Sequence, residues 1–145
     1  MPFRMYVSLQ EEDKISIFTM DAATGKLEPQ ADMAVKGGPA PMTINPEQSF
    51  LYVGRRGSRQ LSSFRIEQDT GGLSLVKTIP LATDPCYIST DRKGRFVLAA
   101  YYEGARVTVH AIGDDGAAVA PPALLLDTAR GAHCIQTDRS NRFAF

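Results

Sequence analysis

Five side chains in this 145-residue sequence have the types to do chemistry on a small polar molecule: His133, Arg56, Tyr102, Glu103 and Arg130. Imidazole exchanges protons near neutral pH, which suits His133 to general acid/base work on a water molecule. The alternative for His133 is a ring bonded to neighbouring backbone at the start of a strand. Arg56 offers paired N–H groups to a phosphate or a carboxylate, although loop arginines are commonly solvated, and Arg55 or Arg59 offers the same chemistry. Tyr102 can donate a hydrogen bond to a substrate oxygen or cap a sheet edge. Glu103 and Arg130 can tune His133, or pair with each other.

Other reactive types are set for structure. His110 lies mid-strand in Val107-Thr-Val-His-Ala111 and reads as structural or surface. The two histidines are not spaced as metal ligands and no carboxylate cluster resembles a calcium site, so no metal and no cofactor are expected. Gly37-Gly38 lacks the strand-to-helix setting of a phosphate loop. Cys86 and Cys134 form no metal or redox motif, and their apolar flanks predict small buried thiols.

The elements that must position these groups announce themselves as a repeat. Asn45-Pro-Glu-Gln-Ser-Phe50, Asp91-Arg-Lys-Gly-Arg-Phe96 and Asp138-Arg-Ser-Asn-Arg-Phe143 are three versions of one turn, about 46 residues apart. A second series runs in phase with it: Asp21-Ala-Ala-Thr-Gly25, Gln68-Asp-Thr-Gly71 and Gly113-Asp-Asp-Gly116. Between the turns lie short runs of β-formers such as Met5–Leu9, Leu51–Gly54 and Phe96–Ala100, then partly alternating runs such as Ile15–Met20, Leu61–Ile66 and Val107–Ile112. Leu27–Val35, Leu73–Leu81 and Val119–Leu126 follow, and Met42–Ile44, Cys86–Thr90 and His133–Thr137 precede each Asx turn. Four short strands per unit of this length predict an all-β fold, a β-propeller of four-stranded antiparallel blades.

With the strand before each Asx turn taken as the innermost, the units are an incomplete blade over 1–37, whole blades over 38–82 and 83–127, and the start of another over 128–145. About three blades form an open arc, which leads us to expect a fragment of a longer protein rather than a short chain that pairs with other chains. Open blade edges would favour self-association. In this register the regular turns share one face of the arc, and turn geometry alone accounts for them. The opposite face carries the irregular loops Gln10–Lys14, Gly54–Gln60 and Tyr101–Arg106. The crossings between blades, Lys36–Ala40, Ala82–Cys86 and Asp127–His133, lie on that face too. All five candidate residues fall there.

Sixteen basic and sixteen acidic side chains balance, which removes the electrostatic case for nucleic acid or an anionic membrane. No stretch reaches the length of a membrane span. The start, Met1-Pro-Phe-Arg-Met-Tyr-Val-Ser8, enters strand-like sequence directly, so a cytoplasmic location is expected.

In Leu51-Tyr-Val-Gly-Arg-Arg56, Ile88–Phe96, Tyr101-Tyr-Glu-Gly104 and Gly131-Ala-His133 the sequence resembles the seven-bladed lactonase family. That family includes bacterial 6-phosphogluconolactonase and is related to carboxymuconate-lactonizing enzymes. The similarity runs through the chain but across only the first half or less of the family's length. It implies opening of a sugar-phosphate lactone by water, with His133 as acid/base and Arg56, Tyr102, Arg130 and Glu103 about the substrate. Tyr101-Tyr102 departs from the Asn-Tyr pair often found in relatives. A muconate-type cyclase and a non-catalytic scaffold for a protein partner remain as alternatives. Convergence of His133, Arg56 and Tyr102 within about 12 Å of one cavity separates the enzymes from the scaffold.

Overall fold

The computed structural model describes residues 3–145. Eleven strands make three antiparallel sheets in chain order. The first holds β1 (Phe3–Leu9), β2 (Lys14–Met20) and β3 (Leu27–Ala34). The second is β4 (Pro39–Ile44), β5 (Phe50–Arg55), β6 (Gln60–Ile66) and β7 (Leu73–Pro80). The third is β8 (Tyr87–Thr90), β9 (Phe96–Tyr101), β10 (Arg106–Ala111) and β11 (Leu124–Asp127). Each strand pairs with its sequence neighbour, so each sheet is a meander of the kind a propeller blade requires. Residues 1 and 2, at the head of the expected first blade, lie outside the described residues.

Packing between sheets follows from the two-residue period of a strand. In β5, Leu51 and Val53 face the first sheet and join Ile15, Val35, Phe64 and Ile66 in one buried cluster. Phe50 and Tyr52 point the other way, into a second cluster with Leu61, Ile88, Val97, Ala99 and Tyr101. A strand buried on both faces explains why its sequence is a nearly unbroken apolar run. β9 repeats the pattern, with Leu98 and Ala100 turned outward to bury Ile135. β3 and β11, on the outer rim, are mostly exposed.

The three Asx turns are superimposable in their bonding. Asn45 Oδ1 accepts from the amides of Ser49 and Phe50 at 2.9 and 2.8 Å. Asp91 Oδ1 accepts from Arg95 and Phe96 at 2.6 and 2.8 Å. Asp138 Oδ1 accepts from Arg142 and Phe143 at 3.0 and 3.1 Å. The fourth residue of each turn, Gln48, Gly94 or Asn141, is left-handed. Neighbouring turns also grip one another: Asn141 Oδ1 accepts from the Arg92 amide at 2.9 Å, and Asn141 Nδ2 donates to Asp91 Oδ2 at 2.9 Å.

The glycine turns make a second repeating joint. Tyr6 OH donates to the Gly71 carbonyl at 2.9 Å, and one blade later Tyr52 OH donates to the Gly116 carbonyl at 2.9 Å. A Cβ on Gly71 would collide with Arg4, and one on Gly116 would strike the tip of the Phe50 ring. Both glycines have positive φ, +74° and +80°. Gly25, the same position in the first sheet, has φ +72° and nothing within 4 Å of its would-be Cβ among the described residues. Phe96 is the residue of the third sheet that corresponds to Arg4 and Phe50, and it is only partly buried.

Three expectations shift. The outer strand of the third sheet does not run from Val119 to Leu126. It is a bridge at Ala118 followed by β11, because Pro121 and Pro122 have no N–H to give the ladder. His133–Thr137 is likewise not a strand beyond a bridge between Thr137 and Ala144. Cys134 is exposed rather than buried, since no further strand covers that start of a sheet among the described residues; Cys86 is half-buried. Of the two readings left open for His110, structural or surface, the structure has the first, with the residue 1% exposed.

Candidate active site

Arg56 is carried by the loop between β5 and β6, Tyr102 and Glu103 by the loop between β9 and β10, and His133 by the crossing after β11. All four line one cavity of about 270 Å³, together with Asp84 and Cys86 from the crossing between β7 and β8. Sheet geometry brings them together. Equivalent loops of adjacent blades stand side by side, so residues separated by 46 or 47 positions become neighbours. The imidazole of His133 meets the Tyr102 ring edge-on, with centroids 5.8 Å apart. Gly131 holds that corner closed, its amide donating to the Tyr102 carbonyl at 3.1 Å.

The structure separates the arginines that the sequence left equivalent. Arg55 donates through Nε to the Lys36 carbonyl at 2.6 Å and through Nη1 to Ser62 Oγ at 3.2 Å, which ties a crossing to the sheet. Arg59 does not line the cavity. Arg56 does, and its Nη2 donates to Asp84 Oδ2 at 3.4 Å. The Nε of Arg56 is buried and has no hydrogen-bond partner among the described residues. A buried donor without an acceptor costs about 1–3 kcal/mol, while the Arg56 side chain as a whole is 42% exposed.

Arg130 stands outside the cavity lining. It pairs with Glu103 at 2.6 Å, on a rim where both side chains are more than half exposed. Of the two readings left open for this couple, the structure has them bonded to each other. An exposed pair of this kind contributes little stability.

Sequence reasoning missed Asp84 and the position of Cys86 on the cavity wall. The signal for Asp84 was an Asp-Pro step in a crossing on the irregular face, and nothing in it distinguishes a turn former from a site residue. Partial burial pushes the Asp84 carboxyl upward. Hydrogen bonds from Thr83, from its own amide and from Arg56, with the arginine's charge, outweigh that and hold it below the usual carboxylate range. Asp84 is therefore an anion at neutral pH. The Cys86 thiol points at the carbonyls of Ala100 and Ala132, each 3.3 Å away, and so braces the residue before His133.

A larger cavity, of about 610 Å³, opens on the opposite face beside the free edge of β1. Asn45, Gln48, Glu67 and Gly71 from the regular turns line it, with no histidine or cysteine. Its volume reflects an unpaired sheet edge rather than convergent chemistry. Among the described residues no group of three or more His, Cys, Asp or Glu could hold a metal ion, and no helix is long and apolar enough to cross a membrane.

Comparison with known proteins agrees with this architecture. Curated 6-phosphogluconolactonases of Serratia proteamaculans and Pectobacterium carotovorum are each 36% identical over 138 residues, 95% of this chain. The chain spans 41% of the length of either relative. Among solved structures, a Bacteroides fragilis protein superposes with a TM-score of 0.87 at 24% identity, over 99% of this chain and 44% of its own. The periplasmic gluconolactonase of Pseudomonas aeruginosa superposes at 0.78 with 22% identity, over 89% of this chain and 38% of its own. The family model described as lactonase, 7-bladed beta-propeller matches residues 4–145, and the chain belongs to that family.

Proposed function

We propose that this chain carries part of the active site of a lactonase that converts 6-phosphogluconolactone to 6-phosphogluconate. The observation that carries the reading is the convergence of His133, Arg56 and Tyr102 on one cavity of the loop face. Such a cavity is what an enzyme needs and a scaffold does not. In this reading His133 takes a proton from water as the water oxygen attacks the lactone carbonyl. Tyr102 donates to the oxygen that gains charge in the tetrahedral intermediate. When the ring C–O bond breaks, the protonated His133 returns the proton to the leaving ring oxygen, and the new acid is released as its carboxylate. Arg56 holds an anionic end of the substrate, and the Glu103–Arg130 couple closes the rim. General base catalysis contributes about a hundred- to ten-thousandfold, orientation and oxyanion stabilisation the remainder.

The same reading divides the chain into an incomplete blade over 1–37, blades over 38–82 and 83–127, and the beginning of another over 128–145. It gives the open blade faces a role in self-association, and it assigns the work to the cytoplasm, where a phosphorylated substrate is retained by its charge. The test is hydrolysis of 6-phosphogluconolactone, followed as acid release. His133→Ala is expected to lower the rate at least a hundredfold with the circular dichroism spectrum unchanged. An unchanged rate removes His133 from the mechanism.

A further inference from the structure

Arg56 carries five N–H donors in a planar fork. Its backbone is fixed on both sides, the amide donating to the Gly38 carbonyl at 2.9 Å and the carbonyl accepting from the Arg59 amide at 3.3 Å. Its Nη2 is engaged by Asp84 Oδ2 at 3.4 Å, a long contact that orients the fork without saturating it. Nε is shielded and has no hydrogen-bond partner among the described residues. A guanidinium in this state gains from any ligand that gives the fork a second acceptor.

Asp84 is itself held from behind. Thr83 Oγ1 donates to Asp84 Oδ1 at 3.0 Å, which leaves Oδ2 for the arginine. Pro85 follows and restricts the backbone on the other side. Thr83 is wedged in turn against the neighbouring loop, where a Cβ on Gly104 would strike its methyl group. The crossing into the third sheet and the Tyr101–Arg106 loop therefore act as one support for the carboxylate.

The charges beside the cavity also cancel in pairs, Arg56 with Asp84 and Arg130 with Glu103. An anion at this cavity is then selected by a correctly aimed donor. We propose that Asp84 is a positioning residue that holds Arg56 for an anionic oxygen of the substrate, a phosphate or a carboxylate, which completes the bonding of the arginine fork. The proposal rests on the lactonase reading of the cavity and deepens it.

The test uses the ¹⁵N-labelled chain and watches the Arg56 Nε–H resonance, assigned by its loss in Arg56→Lys. Inorganic phosphate, gluconate and 6-phosphogluconate are titrated separately. The resonance is expected to shift with 6-phosphogluconate. A shift with phosphate but not gluconate identifies a phosphate site, and the reverse a carboxylate site. Asp84→Ala is expected to weaken binding about tenfold, with the His133 ring signals of the free protein unmoved. Asp84→Asn, which keeps an acceptor oxygen for Nη2, is expected to restore most of the affinity. Unaltered affinity in Asp84→Ala overturns the inference alone. So does an Arg56 Nε–H that stays fixed at saturation while His133 responds, or an Asp84→Asn variant as weak as the alanine. Absence of binding by the unsubstituted chain to all three probes overturns the lactonase reading and the inference with it.

Discussion

His110 shows how a reactive side chain is taken out of chemistry by its surroundings. Its Nδ1 lies 3.0 Å from the Val119 carbonyl, which can only accept, so Nδ1 carries the proton. Nε2 then accepts from Thr108 Oγ1 at 3.1 Å, and Thr108 accepts in turn from Tyr101 OH at 2.9 Å. Every member of this buried chain is satisfied only while the imidazole is neutral. Burial pushes the His110 pKa down, against a smaller upward pull from the Val119 bond. The unfolded chain takes up the proton near pH 6.5 while the folded chain still resists it, so stability falls as pH drops below 6.5. Urea unfolding at about pH 5 and about pH 7.5 is expected to show this loss, and His110→Gln is expected to reduce it. Asp91 and Asp138 act in a separate window. Burial raises the Asp91 carboxyl but its bonds from Asn141 and three backbone amides prevail, and bonds from Ser140 and Phe143 hold Asp138 down to about 2. Their contribution is lost only below the ordinary carboxylate value of 3.8.

At the scale of elements, the two turn series bear different loads. Asn45 is buried and its carboxamide accepts two amides, so Asn45→Ala is expected to cost about 1–2 kcal/mol in urea unfolding. The glycine turns are joints between sheets. Gly25→Ala and Gly116→Ala both force a side chain into positive φ, a backbone penalty of about 1 kcal/mol. Gly116→Ala must also displace the Phe50 ring, whereas Gly25 has open space among the described residues. The second variant is expected to lose at least about 1 kcal/mol more than the first, through overpacking. Equal losses would mean that the Phe50 joint carries no stability.

For the molecule as a whole, the same joint appears twice filled and once half-made at each end. Among the described residues nothing fills the seat at Gly25, and Phe96 is the matching plug on the far sheet. A chain with both halves free is expected to associate head to tail with rising concentration, as read by sedimentation velocity. Phe96→Glu is expected to shift that equilibrium toward monomer while leaving the Asx turns and their amide signals intact. A monomer at every concentration would show that the two surfaces do not recognise each other.

The sequence by itself determined the blade repeat, because each Asx turn and each strand pattern depends on a few adjacent residues. It also determined which face is irregular, since strand order fixes the side on which every loop emerges. Distance was decided only by the tertiary structure. Arg55 and Arg56 are adjacent in sequence and alternate in direction, so one is spent on Lys36 and Ser62 while the other reaches the cavity. His110 and His133 are chemically alike until packing buries the first and leaves the second beside Tyr102. Asp84 became visible as a site residue only when the curvature of the arc set it 3.4 Å from Arg56, 28 positions away.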